Sequence, residues 1–369
     1  MKFTIEKNDL LSAIATATRA LPARSASPIL EGVLLEAQEE TSRLRLVCTD
    51  TALQVETFVP AAVALRGVLV LPGRLFYEVV RRLPEGEVEV SSRSDKANAI
   101  ELRSGKSKTN MQGFSSEDFP EMPAVAEKSR FTMPQKSLRS MIAQTQFAIS
   151  SDESRPILTG GLFELEGGKL NVVGLDGYRL AVRTEPCLCE GDTSAVVPSG
   201  SLSAIERVLG DEGDVTVALS QSAALFDVAH TKITTVLLSG DYMQYKKIIP
   251  QDKLTVVQVG RTELMSAIDR ASLMARDSKN NLVRFSVANG LLTVTSNSEL
   301  GDVVDEVPIH LTGGELDIAF NAKFMTDVLK VLGDEEVLLE MNTPVTPCVV
   351  RPLSGDAWVY LVLPVRVFN

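Results

Sequence analysis

Residues 138–142 read LRSMI, and this mixture of apolar and small polar residues returns twice elsewhere in the chain. It reads LLSAI at residues 10–14 and LMSAI at residues 264–268, so successive copies lie 128 and 126 residues apart. In each copy the apolar residues recur at the spacing of one helical face. The sequence therefore predicts the same amphipathic helix three times, at a nearly constant interval.

A second helical pattern keeps almost the same period. It ends at Leu83, Leu209 and Leu332, which are 126 and 123 residues apart in a chain of 369. Two independent markers with one period indicate a module that is present three times. Proline-bearing polar stretches separate the copies, as domain joints commonly do. The predicted domains are residues 1–124, 125–250 and 251–369.

Each module has the same order of elements: a strand, a helix, three alternating strands, a second helix and three more strands. The opening strands are predicted at residues 2–6, 130–133 and 254–259. The second helices are predicted at residues 73–83, 199–209 and 321–332, and the strands between the helices of the first module at 29–37, 44–49 and 52–59. This order predicts an α+β fold in which each domain carries two helices on antiparallel sheets.

Composition excludes several classes of protein. Hydrophobic residues make up 44% of the chain, but no apolar run approaches the roughly 20 residues of a membrane-spanning helix. The N-terminus alternates like a strand and lacks the apolar core of a signal peptide, so we expect a cytoplasmic protein without a membrane partner. Cys187 and Cys189 are close in sequence, but four cysteines and two histidines are too scattered for a metal site. We expect reduced thiols and no bound metal.

Charge is divided unevenly along the chain. The whole sequence carries a net charge of −11, whereas the six predicted helical segments with their flanks carry +8 and the remainder carries −19. Positive helices in an acidic chain suit a protein that contacts phosphates along one face and repels nucleic acid elsewhere.

Motifs of catalysis are missing from the sequence. It contains no phosphate-binding Walker loop, no dinucleotide glycine fingerprint, no His-Glu-x-x-His and no Gly-x-Ser-x-Gly. Asp176 could be a catalytic carboxylate, but Asp176-Gly177 is better explained as a two-residue turn between strands. We therefore expect no catalytic residue, no cofactor and no enzymatic activity.

Several stretches together resemble the bacterial sliding clamp family, the beta subunits of DNA polymerase III. They are MKFTI at residues 1–5, PIL at 28–30 after Arg24, DGYRLAV at 176–182, Phe320-Asn321, and LPVR at 363–366. The resemblance spans the whole chain. It implies the DNA-clamp fold with three similar domains, and a homodimer that closes head to tail into a ring whose helices face duplex DNA.

Three sites follow from the resemblance. The first would contact DNA phosphates, without base specificity, through basic residues on or beside the helices. These residues are Arg24, Arg74, Arg82, Lys136, Arg139, Arg207 and Lys323. The sequence does not decide which of them touch DNA.

The second implied site is an apolar cleft that binds a short peptide motif of DNA polymerase III alpha subunit, the clamp loader, other polymerases and repair factors. The matching residues are Arg155, Leu158, Leu175, Gly177, Tyr178, Arg179, Leu180, Met243, Lys247, Ile248, Asn321, Phe324, Val345, Pro347, Leu361, Leu363, Pro364, Val365 and Arg366. Met243, Lys247 and the C-terminal Phe368 and Asn369 depart from the family's pattern, which leaves the peptide preference open.

The third implied site is the interface between the two copies, where a basic edge of the first domain meets an acidic stretch of the third. Its residues are Arg103, Lys106, Lys108, Met111, Leu273, Met274, Glu299 and Asp302, with Asp305 and Glu306 beside them. Relatives often have an aromatic residue where this chain has Thr109, which leaves the strength of the dimer open.

The sequence thus predicts a DNA polymerase processivity factor that encircles duplex DNA and tethers polymerases and other clamp-binding proteins in replication and repair. A repeat-built peptide scaffold that never encloses DNA is the alternative, although it has no need of positive helices. A hydrolase is a more distant alternative, because no catalytic constellation is visible.

Overall fold

The computed structural model describes residues 1–189, 191–275 and 281–367, and these residues form six α-helices and 26 β-strands. The helices are α1 (Lys7–Ala17), α2 (Gly73–Arg82), α3 (Gln135–Thr145), α4 (Ser199–Val208), α5 (Arg261–Ala275) and α6 (Ala322–Val331). The helices predicted at 73–83, 199–209 and 321–332 are confirmed to within one residue at each end. Among the described residues, no helix combines the length and apolar character that crossing a membrane requires.

The first ten strands precede α3. They are β1 (Lys2–Glu6), β2 (Gly32–Gln38), β3 (Arg43–Thr49), β4 (Leu53–Pro60), β5 (Ala62–Leu65), β6 (Gly67–Pro72), β7 (Glu87–Ser92), β8 (Ala99–Ser104), β9 (Ser107–Gln112) and β10 (Ser129–Pro134). The next eight are β11 (Gly160–Glu166), β12 (Lys169–Leu175), β13 (Arg179–Pro186), β14 (Leu188–Cys189), β15 (Thr193–Pro198), β16 (Asp214–Leu219), β17 (Ala223–Val228) and β18 (Thr231–Val236). The last eight are β19 (Thr255–Gly260), β20 (Leu282–Ala288), β21 (Leu291–Ser298), β22 (Gly301–Gly313), β23 (Leu316–Asn321), β24 (Glu336–Met341), β25 (Cys348–Arg351) and β26 (Trp358–Val362).

The chain forms two compact units, and each is described here by itself. Unit 1 comprises Met1–Lys136 and Ser203–Leu237, and unit 2 comprises the other described residues. Unit 1 contains an antiparallel sheet in the order β5-β1-β7-β8-β9 and a second antiparallel run in the order β10-β16-β17-β18-β4-β3-β2-β6. Its helices α1 and α2 bury one apolar face each, with Leu10 and Ile14 on α1 and Phe76 and Val80 on α2.

Unit 2 is built on a single sheet of twelve strands. Its order is β15-β11-β12-β13-β26-β25-β24-β19-β22-β21-β20-β23, and neighbouring strands run antiparallel. Helices α5 and α6 pack their apolar faces into the largest core of the unit, through Ile268 of α5 and Met325 of α6. The Asn321 side chain caps α6 by accepting a hydrogen bond from the Lys323 N–H at 2.9 Å, which satisfies an otherwise free donor at the helix start.

Residues 29–37 do not form one strand as predicted. Pro28–Glu31 makes a short 3-10 helix, and the strand begins only at Gly32. The same arrangement recurs in unit 2, where Pro156–Thr159 precedes β11. Proline fixes a helical φ and has no N–H to give to a sheet, so it favours the first position of a helical turn.

Candidate functional site

A tight turn between β12 and β13 begins the candidate peptide site of unit 2. The Asp176 carboxylate accepts hydrogen bonds from the backbone N–H groups of Tyr178 at 2.8 Å and Arg179 at 2.9 Å. Gly177 lies between Asp176 and Tyr178 and has a φ of +90°, a backbone conformation that favours glycine. The turn leaves the Tyr178 ring 61% exposed. The turn that the sequence predicts at Asp176-Gly177 is therefore present, and the Asp176 carboxylate stabilises it.

Arg179 is the central side chain of this region and is only 8% exposed. Its guanidinium pairs with the Asp176 carboxylate at 2.9 Å and the Asp327 carboxylate at 2.6 Å. It also donates to the Phe147 carbonyl at 2.6 Å. These bonds join the turn after β12, helix α6 and the segment after α3. Arg179 was predicted as a peptide-binding residue, but its donors are already engaged within the protein.

The same guanidinium supports the aromatic residues beside it. It lies 4.7 Å from the centre of the Phe324 ring, in the range of a cation–π contact. The Phe324 and Tyr178 rings are 5.9 Å apart between centroids. Arg179 thus contacts one predicted peptide-binding ring directly and supports the second through it, without needing to reach a ligand.

The carboxylate of Asp327 is shared between two cations. It accepts a hydrogen bond from Lys323 at 2.7 Å as well as from Arg179. Burial opposes the charged form of Asp327, but the hydrogen bonds from Lys323 and Arg179 outweigh burial and hold its pKa below the ordinary value. Asp327 is therefore an ionised anchor for the Arg179 side chain.

This pKa shift predicts how stability depends on pH. A carboxylate with a lowered folded-state pKa stabilises the protein fully above its unfolded pKa of about 3.9, and this contribution is lost as the pH falls through the folded-state pKa. Asp327→Asn should therefore cost about 2 kcal/mol at pH 7 and progressively less below about pH 4. Urea unfolding at pH 7 and pH 3 measures both differences. The exposed Asp356→Asn is the control, and an equal loss from Asp327→Asn at both pH values contradicts the prediction.

Four predicted peptide-binding leucines form a buried floor under the site. Leu158, Leu175, Leu180 and Leu361 are each at most 3% exposed and belong to one apolar cluster. Leu180 on β13 lies opposite Leu361 on β26 in the sheet register. In this structure these leucines pack against one another and present little surface, so they shape the site from beneath.

Five large apolar residues of the predicted peptide site are exposed, and together they are called the rim. The backbone connects part of it, because the Leu363 N–H donates to the Tyr178 carbonyl at 2.9 Å. The large apolar rim residues are Tyr178 (61% exposed), Val345 (58%), Met243 (43%), Leu363 (37%) and Ile248 (37%). Several exposed apolar side chains on one candidate site are typical of a surface that binds a partner.

The remaining predicted peptide-binding residues flank the rim. Asn321 is engaged as the α6 cap, and Pro347 directly precedes β25, whose Val349 belongs to the leucine cluster. Lys247 lies beside Tyr245, whose ring packs in that cluster. The tail residues Pro364 and Val365 are half-buried, whereas Arg155, Lys247 and Arg366 are exposed. Phe368 and Asn369 lie outside the described residues.

Five of the predicted DNA-contacting residues lie in unit 1. Arg24 is exposed in the loop after α1, and exposed Arg74 of α2 donates to the Pro22 carbonyl of that loop at 2.9 Å. Arg82 ends α2 and pairs with Glu78 at 3.2 Å. Lys136 and Arg207 are exposed on α3 and α4.

Arg139 and Lys323 are the two predicted DNA-contacting residues in unit 2. Arg139 is half-buried on α3 and has interactions within the protein. Lys323 is exposed on the first turn of α6, where it pairs with Asp327. One carboxylate therefore links a predicted DNA contact to the arginine beneath the peptide site.

The predicted basic edge of the interface lies on β8 and β9 in unit 1. β9 is an edge strand, and exposed Arg103 and Lys108 share the carboxylate of Glu101, at 2.5 and 2.6 Å. Lys106 is exposed in the turn between the strands. Met111 is only 5% exposed, because its side chain points to the buried face of β9. Glu101 thus balances part of the positive charge at this edge.

The predicted acidic stretch of the interface lies on the hairpin between β21 and β22 in unit 2. Glu299 and Asp302 are exposed, whereas Asp305 makes a bidentate pair with Arg270 at 2.8 and 2.9 Å. Leu273 is 54% exposed at the end of α5, with Met274 beside it. The sequence analysis missed two neighbouring apolar residues of the hairpin, Leu300 (82% exposed) and Val304 (62%).

Comparisons with known proteins place the chain in a family. The models of the DNA polymerase III beta subunit match it in three parts: the N-terminal domain at residues 1–123, the central domain at 132–244 and the C-terminal domain at 246–366. The beta sliding clamps of Bacillus subtilis and Staphylococcus epidermidis are 32% and 30% identical to it, over 100% of both chains in each comparison. The crystal structure of the DNA polymerase sliding clamp from Bacillus subtilis superimposes with a TM-score of 0.95 and 31% identity, again over 100% of both chains. The chain therefore belongs to the DNA polymerase III beta subunit family, the beta sliding clamps.

Proposed function

We propose that this protein is a DNA polymerase processivity factor with no catalytic activity of its own. Two copies close head to tail into a ring around duplex DNA, and each contributes three domains at residues 1–124, 125–250 and 251–369. The observation that carries the proposal is the match to beta sliding clamps along the full length of the chain. The exposed apolar rim of unit 2 supports it, because a tether needs a surface for its partners.

The basic residues supply a sequence-independent contact with DNA. Exposed Arg24, Arg82, Lys136 and Arg207 carry charges that suit phosphates, and phosphate contacts hold a protein on DNA without reading its bases. The net charge of −11 on the whole chain disfavours tight wrapping by nucleic acid. Encirclement then keeps the protein on DNA while weak contacts allow it to slide.

The rim and leucine floor of unit 2 are the proposed binding site for a short peptide motif. Its expected partners are the alpha subunit of DNA polymerase III, the clamp loader, and other polymerases and repair factors in the cytoplasm. Apolar side chains of the motif would fill the exposed rim at Tyr178, Met243 and Leu363, and polar groups around them would fix the peptide backbone.

Retention on circular DNA tests the proposed function. The protein is loaded by a cognate loader onto a nicked circular duplex at moderate salt, and half of the sample is then cut once with a restriction enzyme. An enclosing ring should stay on the circle and slide off the cut ends, because topology rather than affinity holds it. Equal loss from both DNAs contradicts encirclement and favours the peptide scaffold that does not enclose DNA.

A further inference from the structure

A second groove opens beside the proposed peptide site in unit 2. It has a volume of about 770 Å³ and lies between the exposed face of β20, β21 and β23 and the C-terminal tail. Arg284, Thr295 and Asp317 contribute its polar lining, and Val345 and Val365 contribute apolar lining. Arg284 lies opposite Thr295 in the sheet register, so both side chains are on the same face of the sheet.

The groove is continuous with the proposed peptide site. Val345, Val365 and Arg366 belong to the predicted peptide site and also line the groove. The Val365 N–H donates to the Ala319 carbonyl of β23 at 2.8 Å, which fixes the tail along the edge of that strand. A peptide bound at these shared residues can therefore extend into the groove.

The charge of the groove favours an anionic occupant. Arg284 and Arg366 are both exposed, and within the described part of the chain neither guanidinium is paired with a carboxylate. Among the described lining residues Asp317 is the only acidic one, and together with Arg284 and Arg366 it gives these residues a net positive charge on a protein whose net charge is −11. Guanidinium groups recognise carboxylates through charge-assisted, often bidentate hydrogen bonds.

We propose that this groove binds an acidic segment that flanks the apolar motif of a partner peptide, with Arg284 as the residue that selects for it. This inference rests on the proposed function of the neighbouring cleft as a peptide-binding site. Glutamate or aspartate side chains of the partner lie over Arg284 and Arg366 while its apolar residues occupy the rim. The groove thereby discriminates among partners that share the same apolar motif.

The test compares fluorescein-labelled peptides that carry two leucines and a phenylalanine as apolar anchors. One pair has three glutamates or three glutamines before the anchors, and a second pair has them after the anchors. Fluorescence anisotropy should show that the glutamate peptide of one pair binds about tenfold more tightly than its glutamine counterpart. This preference should shrink as salt is raised, because exposed charges are screened.

Variants locate the effect in the groove. Arg284→Gln should reduce the preference for glutamate to less than about twofold and leave the affinity for the glutamine peptides unchanged. Asp317→Asn should increase the preference, and Lys330→Gln, which removes an exposed charge elsewhere in unit 2, should not alter it.

The outcomes separate this inference from the proposed function. Equal binding of glutamate and glutamine peptides, or a preference that survives Arg284→Gln, overturns the role of the groove while the cleft remains a peptide site. Failure of every peptide to bind the wild-type protein overturns the cleft and the groove together.

Discussion

Replacement of Arg179 by methionine is expected to lower the free energy of unfolding by about 3 kcal/mol, the low end of the cost of removing one partner from a buried ion pair. The loss is large because Asp327, the Asp176 carboxylate and the Phe147 carbonyl all lose the donor that satisfies them. It stays at the low end because Lys323 still pairs with Asp327 and two backbone N–H groups still reach Asp176. Urea unfolding of the purified variant measures this difference.

Arg183→Met is the matched control for this prediction. Arg183 lies four residues further along β13 and, within the described residues, bonds one carboxylate, that of Glu185 at 2.8 Å, and the Ala357 carbonyl at 2.8 Å, so we expect a smaller loss of roughly 1 kcal/mol. A cycle with Asp327→Asn isolates the coupling, since the double variant should cost less than the sum of the two single ones. A loss from Arg179→Met no larger than that from Arg183→Met would show that the network is not a stabilising one.

Arg179→Met should also weaken peptide binding by about tenfold under conditions in which the variant remains folded. Arg179 does not offer a free donor to a ligand, but it fixes the Phe324 ring 4.7 Å away and, through it, the Tyr178 ring. Arg179→Lys should recover little of the affinity, because an ammonium cannot make the planar fork that reaches two carboxylates and a carbonyl. Wild-type affinity in folded Arg179→Met contradicts this positioning role.

The periodic parts of the sequence predicted the structure well. The second helix of each module was predicted to within one residue at each end, because its apolar spacing and the leucine that closes it are local signals. The 3-10 helix at Pro28–Glu31 was missed because its apolar residues also fit an alternating strand, and no element was predicted for Pro156–Thr159. Proline at the first position was the signal that could have identified them.

The candidate site could be predicted only as a set of residues. The family resemblance named Arg179 but could not show that its guanidinium is engaged by Asp327, 148 residues away in sequence. It also named Leu158 and Leu180 as peptide-binding, whereas both are buried in this structure. Burial and long-range pairing are tertiary properties, and a pattern of residue types does not fix them. Whether these residues contact a peptide stays a prediction.

The C-terminal end of α5 and the tip of the β21–β22 hairpin carry exposed apolar side chains. We expect this apolar patch to lie between two copies of the protein. Leu273 and Leu300 are 54% and 82% exposed, and the Met274 sulfur is 4.0 Å from the position that a Cβ on Gly301 would occupy. Between Gly301 and Pro308, β22 pairs with β21 on one side only within the described residues, so its other edge is open. An open edge beside exposed leucines is typical of a strand that pairs with another chain.

Leu273→Asp combined with Leu300→Asp should therefore convert the proposed dimer to a monomer. Each substitution removes an apolar contact worth about 1.5–3 kcal/mol and adds a charge to a patch that already holds Glu299 and Asp302, so the dissociation constant should rise at least about a hundredfold. Sedimentation velocity measures the change, and retention on circular DNA should be lost with it, because an open ring cannot enclose the duplex.

Leu254→Asp is the control for this last prediction, since Leu254 is 63% exposed in unit 2 and its carbonyl bonds the Gly314 N–H, just past the end of β22 that is far from the hairpin tip. It should leave both the dimer and the retention intact. All the substituted leucines are exposed, so folding should be unaffected, and thermal melts of the variants check this. If the double variant remains a dimer that is retained on circular DNA, the two copies meet through some other surface. The apolar patch of α5 and the hairpin would then need a different partner.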